Sequence, residues 1–561
     1  MNTSDAATSG NGEPYYVIAA LFAALVATVS VTWLAAQLAA ATSGGGFASG
    51  YGDALPFTVY LLATGDAAHA WTRVTGQPPL PVALFWPLLI ALLALTAGAA
   101  YAGLRLWKQR APRGDRGAVW AGPVHEQRIT VPEDPTQRPG RIVAGRSTRT
   151  RALLAGDDCI SATVFGPNGS GKTLGLIIPN VLEWDGPCVV STAKGPDLKW
   201  IVKARRKRGP VWVVAPEGLS FMRPARWSPT TYAIDEESAD RMAQWLCEAS
   251  GITDDPRTRP WVLKARALVG PILMAAALSG GGVEKFYRWC LDGQDVRRDI
   301  RAILTEHGHE QMADNYDSVW RLHPDGIGSV LFTAAAVVDA YSRPRVRESA
   351  CTSDFTAAQL LAEKGTVCIV APPSQAESLA PMFTALVASI VHEAEQQYER
   401  TGPLKPRLLA ALDEAGNVFR YPGLPTLLTT ARGMGIQLIT VWHDLAQLQT
   451  RYGQDSARTI LSQSKLRMLL PGMGDMHTLQ YFSQMFGSSL ADRPSHSTGS
   501  DGRHSVSTNL QKDDLAPVYM LQQLPEWNAV MQYANLPPMN VQMRTCFGDP
   551  ALKTLAQAHS A

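Results

Sequence analysis

Gly166-Pro167-Asn168-Gly169-Ser170-Gly171-Lys172-Thr173 is the stretch on which the fold turns. It fits G-x-x-x-x-G-K-[ST], a loop whose backbone N–H groups curl around phosphate oxygens. Glycines at 166, 169 and 171 free the backbone for that curl. Lys172 supplies a point charge for the β- and γ-phosphates, and the Thr173 hydroxyl a ligand for Mg²⁺. The flanks agree. Ile160–Phe165 is a short apolar run that reads as a buried strand, and Thr173–Glu183 opens a helix whose N-terminus favours an anion. The whole octet, 166 to 173, is therefore the expected nucleotide-binding loop.

Binding is not hydrolysis. The partner expected for chemistry is Leu408–Glu414, an apolar run ending in two carboxylates between Pro406 and Gly416. Asp413 is placed to hold the Mg²⁺ shell and Glu414 to orient and deprotonate the attacking water. Together with Lys172 these residues predict an ATPase-like core.

The 561 residues are enough for several domains, and a formal charge of +2 says little about partners. Charge distribution says more. Pro14–Gly52 and Val74–Leu104 carry no charged residue. Within them, about 15–41 and 80–106 each exceed the roughly 20 residues that cross a bilayer. Arg105, Lys108, Arg110, Arg113 and Arg116 crowd behind the second segment, while the intervening loop offers only Arg73. The positive-inside bias then predicts two crossings in the inner membrane, with both termini and the large C-terminal part cytoplasmic. The seven cysteines all fall in that part and form no CxxC pair, which fits a reducing compartment.

Along the remainder, residues 107–150 are rich in Arg, Pro and Gly and read as a linker. Strand and helix signals alternate from 160 onward, stop at about 235, and resume at Val367–Val370, Leu408–Leu412, Gln437–Val441 and Leu466–Leu470. The pattern predicts a parallel α/β sheet, 151–234 and 351–561, interrupted by an all-α insertion at 235–350. Residues 488–513, full of Ser, Thr, Asp, His and Gly, read as an exposed loop or flap. Lys203–Arg208 is the densest basic run, suited either to nucleic-acid phosphates or to a solvated helix face.

The order of these features resembles the type IV secretion coupling proteins, the TraG-like conjugative DNA-transfer ATPases, over nearly the whole chain. Val189–Gly195 resembles the family's strand ending in Asp-Pro-Lys-Gly, and Leu412–Asn417 its acidic strand. Ala431–Ile436, leading into Thr440–Leu448 and Arg451-Tyr452-Gly453, resembles its Arg-x-x-Gly-Ile run, sensor strand and Gln-Leu-x-x-x-Tyr-Gly pattern. Leu521–Leu524 and Ala534–Pro538 resemble its closing segment. The resemblance implies a RecA-like P-loop domain and a hexameric ring using ATP and Mg²⁺. It also implies single-stranded DNA with its relaxase, or effector protein, passed to a secretion channel. It adds Lys194 as a nucleotide contact, His443 as sensor, and Arg432, with Arg458 behind it, as the arginine reaching a neighbour's γ-phosphate. Two departures stand out: His443 replaces the family's usual Gln, and Thr192 its Asp. An FtsK-type double-stranded-DNA pump and a nucleotide-binding receptor that does not hydrolyse are the alternatives.

Overall fold

A computed structural model describes residues 13–42, 50–110, 117–193, 195–250, 259–498 and 504–557, in two compact units, Met1–Gly114 and Asp115–Ala561. In the first unit, helices Glu13–Thr42 and Val82–Arg110 pack against each other. Leu25–Thr42 and Val82–Ala102 within them are long and apolar enough to cross a membrane. The loop expected between them folds into helices Ala54–Thr64 and Ala67–Thr75, the second capped by the Asp66 carboxylate on the N–H groups of Ala68 and His69. An aromatic cluster closes this unit: Phe57 meets Trp33, Trp71 and Phe85 with centroids 5.7, 5.9 and 6.1 Å apart.

The second unit is built on an eleven-stranded sheet. In chain order the strands are β1 (Val143–Ser147), β2 (Leu153–Ala155), β3 (Ala162–Phe165), β4 (Cys188–Thr192), β5 (Val211–Val214), β6 (Thr366–Val370), β7 (Leu408–Leu412), β8 (Ile436–Trp442) and β9 (Leu466–Leu469). A separate hairpin, β10 (Ser488–Thr498) and β11 (His504–Asp514), precedes β12 (Asn528–Tyr533) and β13 (Met539–Gln542). The sheet order is β2-β1-β13-β12-β9-β3-β8-β7-β4-β6-β5. From β9 to β5 all neighbours are parallel. Their sequences are near-continuous apolar runs because helices cover both faces.

Three expectations need correction. The sheet is mixed: β12, β13, β1 and β2 extend it antiparallel beyond β9. Residues 143–147, expected in the linker, form β1, and Gly145 makes that possible. A Cβ there would lie 2.5 Å from the Gln542 carbonyl oxygen, so only glycine fits against β13. Residues 488–498 and 504–513, expected as an exposed loop or flap, are strands, since β10 and β11 pair from Ser488↔Asp514 to Thr498↔His504.

Between β5 and β6 the described residues form only helices, chiefly Glu236–Glu248, Arg259–Leu278, Gly282–Asp292, Arg297–Glu306, Glu310–Val319 and Pro324–Val338. Pro260–Leu278 has the length and apolarity of a membrane span, yet 61% of it is buried in the helical core. That core, with Leu268, Ile272, Phe286 and Tyr316, runs without a break through helix Ala376–Thr401 onto Val189 and Val214 of the sheet. The insertion is thus packed onto one face of the sheet.

The basic run is divided: Lys203, Arg206 and Lys207 are exposed, while Arg205 and Arg208 turn inward. Arg205 is fully buried, with its guanidinium donating to the carbonyls of Trp184 and Gly186 and to Thr366 Oγ1, and Arg208 donates to the Trp184 and Leu182 carbonyls. Neither is available to a phosphate backbone.

Candidate active site

β3 ends at Phe165, and the Gly166 N–H donates to the Trp442 carbonyl at 2.9 Å, tying the loop to the end of β8. A side chain at Gly166 would meet Ser170 Oγ at 2.5 Å, while Gly169 and Gly171 hold φ of +85° and +84°. These are positions that glycine alone takes without strain. The helix that follows opens with a π turn, Thr173–Ile177, before regular α-helix Ile178–Glu183. Such wide turns recur at functional sites.

Strand order brings the acids to this loop. β8 lies between β3 and β7, so the residue following β8 falls between the phosphate loop and the carboxylates following β7. Thr173 Oγ1 donates to Asp413 Oδ2. Lys172 Nζ stands 3.7 Å from Glu414 Oε1 and 3.2 Å from His443 Nδ1. Lys172 and Asp413 are buried, at 6% and 2% exposure. Glu414 sits in the left-handed region (φ 55°, ψ 46°), a conformation costly for a non-glycine residue and concentrated at functional sites.

The electrostatics follow from burial. Desolvation pushes the Asp413 carboxyl above its ordinary value, against the Thr173 hydrogen bond and the Lys172 charge, which both favour the anion. His443 is held below 6.5, first by burial and then by the Lys172 charge, with Glu414 opposing. It is therefore neutral at pH 7 and can accept the lysine's hydrogen bond at Nδ1. Two buried polar atoms, Asp413 Oδ1 and Ser170 Oγ, have no hydrogen-bond partner. Orphans of this kind in a hydroxyl–carboxylate set suit a hard cation and its water shell. The donor set at Thr173 and Asp413 fits Mg²⁺.

Of the expected residues, the octet, Asp413, Glu414 and His443 come together. Lys194 lies outside the described residues. Arg432 is exposed in the last turn of helix Leu424–Met434, which leads into the start of β8, and its charge is felt at Cys159 and Tyr533. It precedes β8 whereas Lys172 follows the parallel neighbour β3, so the two stand at opposite ends of the strands. Arg458 is exposed and pairs with Asp455. Three supporting residues carry no local signal for their role. Ser191 Oγ donates to the Asp413 carbonyl at 2.9 Å, Gln447 Oε1 accepts from the His443 N–H at 3.0 Å, and Arg451 donates to the Gly416 carbonyl at 3.2 Å. Arg451 ties the turn after β7 to the helix after β8, and the Gln447 side chain packs against Gly416.

The chain is similar to known proteins in sequence and in fold. Conjugal transfer protein TraG of Escherichia coli is 28% identical over 327 residues, 53% of this chain and 50% of that protein. Conjugal transfer protein TraG of Agrobacterium fabrum is 25% identical over 356 residues, 60% and 53%. The chain thus spans about half the length of the curated relatives it matches. Among solved structures, the bacterial conjugative coupling protein TrwB superposes with a TM-score of 0.59 at 18% identity, covering 76% of this chain and 92% of that one. TrwB in complex with ADP and Mg²⁺ gives 0.57 at 18% identity, covering 77% and 94%. At such identity the likeness establishes the fold, RecA-like with a P-loop. The family model for type IV secretory system conjugative DNA transfer matches residues 124–557. With that match over most of its length and a phosphate loop facing two carboxylates, the chain belongs to the type IV secretory conjugative DNA-transfer family.

Proposed function

We propose that the chain is a membrane-anchored ATPase that couples a DNA–protein substrate to a type IV secretion channel. The substrate class is relaxase-bound single-stranded DNA, or an effector protein. The observation that carries the ATPase reading is the convergence of Lys172, Thr173, Asp413 and Glu414 from loops 240 residues apart. The family match and the TraG and TrwB relatives support the substrate class. The two apolar helices of the first unit support anchoring in the inner membrane, with the ATPase part cytoplasmic.

In this reading the loop 166–173 wraps the phosphates, and Lys172 neutralises the β- and γ-oxygens. Thr173 and Asp413 hold Mg²⁺, whose charge offsets the negative charge on the phosphoryl oxygens. Glu414 takes a proton from the attacking water. Neutral His443 keeps Lys172 directed at the site and takes the place of the family's sensor glutamine. Arg432, remote from its own Lys172, serves a neighbouring copy's γ-phosphate in a hexameric ring, where an arginine finger is worth about 10³–10⁵ in rate.

Glu414→Gln tests this reading. The variant should bind ATP as the wild type does, yet lose turnover, its stimulation by single-stranded DNA, and substrate transfer. Transfer at the normal rate would favour the receptor that binds without hydrolysing.

A further inference from the structure

Beside the phosphate loop the sheet has a second, unassigned feature. β12 runs antiparallel to β9, so its first residues lie at the edge where the phosphate loop opens, and β13, antiparallel to β12, ends there (Asn528↔Gln542). Trp527 and Met543, flanking these strands, are joined by a 2.7 Å hydrogen bond from the Met543 N–H to the Trp527 carbonyl. Both press on the loop and its helix. A Cβ on Gly171 would lie 2.9 Å from Trp527 Cζ3, and one on Gly175 would lie 3.1 Å from Met543 Sδ. Trp527 holds φ at +62°, a position rare for a bulky residue, and such outliers gather at ligand-binding sites.

Trp527 and Met543 line a cavity of about 350 Å³ together with Gln542, Thr545 and Arg151. That volume is within the usual small-molecule range of about 300–1,000 Å³. Its charge is largely settled. Arg146 is paired with Glu133 and Asp549, and Arg544 with Glu183 and Asp549, while Arg151 donates to Gln542 Oε1 at 2.8 Å. An aromatic wall with neutralised cations behind it suits an uncharged flat group better than a further phosphate.

We infer that this cavity receives the purine base and ribose of the nucleotide whose phosphates the loop 166–173 holds, with Trp527 as the positioning residue for the base. The inference rests on the phosphate-site reading above. It puts nucleotide affinity partly in the C-terminal strands β12 and β13, not in the P-loop alone.

The test is calorimetric titration of the full chain in detergent with Mg²⁺ and, separately, ATP or inorganic tripolyphosphate. Wild-type protein should bind both, ATP the tighter. Trp527→Ala should weaken ATP about 10-fold or more, the scale of one lost base–aromatic stack, and leave tripolyphosphate affinity unchanged. Trp527→Phe should keep most of the ATP affinity. Lys172→Ala should weaken both ligands. If Trp527→Ala binds ATP like the wild type, or loses both ligands equally while still folded, the base site is wrong and the phosphate site stands. If the wild type binds neither ligand, the phosphate site falls and the base site with it.

Discussion

The helix from Thr173 to Glu183 carries a buried charged cluster at each end, and the two are partnered in opposite ways. At its C-terminal end Glu183 receives Arg544 through both oxygens, at 2.9 and 2.7 Å, and Arg138 at 2.9 Å. Arg544 turns its Nε to Asp549 at 2.8 Å, so every nitrogen of its guanidinium is used. Burial works against the Arg544 cation, yet Glu183 and Asp549 hold its pKa above the ordinary value. Arg138, with Nε and Nη1 unpartnered, is the loosest member. At the N-terminal end, among the described residues, no carboxylate is gripped through both oxygens by a cation. Asp413 keeps an orphan oxygen, and its carboxyl is pushed up by desolvation. Equal burial therefore means different things. Where bidentate pairs offset desolvation the cluster ties segments together, and where they are left incomplete the cluster is arranged for a ligand.

The sharpest way to break this comparison is to cut one group from each end. Glu414→Gln should lower ATP turnover by about 10²–10⁴-fold, the usual worth of a general base, with an unchanged thermal midpoint. A steady-state rate and a melting curve on one preparation check both. Arg544→Ala should do the reverse. It removes the bidentate partner of Glu183 and the nearer of the two arginines at Asp549, leaving only Arg138 and Arg146, and should cost about 3 kcal/mol of stability, read by denaturant unfolding. It should also flatten the acid response. Burial tends to raise Asp549, but Arg544 holds its pKa below the ordinary 3.8. Its contribution is present above that value and lost as pH falls through the lower, folded one. Wild type should lose this increment on acidification; the variant, left with the Leu552 N–H and the Arg146 charge, should lose less.

Two smaller effects sharpen the contrast. His443→Gln restores the family's usual residue and removes a titrating group. Because His443 is held below 6.5, wild-type turnover should stay level down to that pH. It should fall only below it, as protonation sets a second cation beside Lys172. The variant's pH profile should lack that acid limb. Asp413→Asn should abolish Mg²⁺-dependent turnover yet raise stability by about 1 kcal/mol, the scale gained when a strained functional group is neutralised. A fall of similar size would show that Asp413 is paired for stability, as Glu183 is.

Much of the fold was readable in advance, for a reason that also explains the misses. β7 was placed to the residue and β6 to within one, because a parallel strand covered on both faces is one unbroken apolar run, such as Leu408–Leu412. β1 and β13 were missed. They are short and half polar, and Arg146 finds its partner Gln542 near the far end of the chain, so no local pattern announces the pairing. In the site, Lys172, Thr173 and the two acids were visible because phosphate chemistry demands those residue types at that spacing. Ser191 and Gln447 lay in stretches that carry the family resemblance but showed no role there, and Trp527 lay in none, since a serine in a strand or a glutamine in a helix looks the same with or without a partner. The inward turn of Arg205 and Arg208 is the same lesson reversed. A dense basic run says nothing of which guanidinium groups cap buried carbonyls.

The octet 166–173 by itself determined a loop shaped for phosphate. A ring of backbone N–H groups is a local solution, complete within eight residues. That Asp413, Glu414 and His443 face that ring, and that Trp527 closes its side, was decided only by the order of strands across the sheet. A group reaching Lys172 from far along the chain gets there through long-range pairing, and such pairing leaves no trace in spacing.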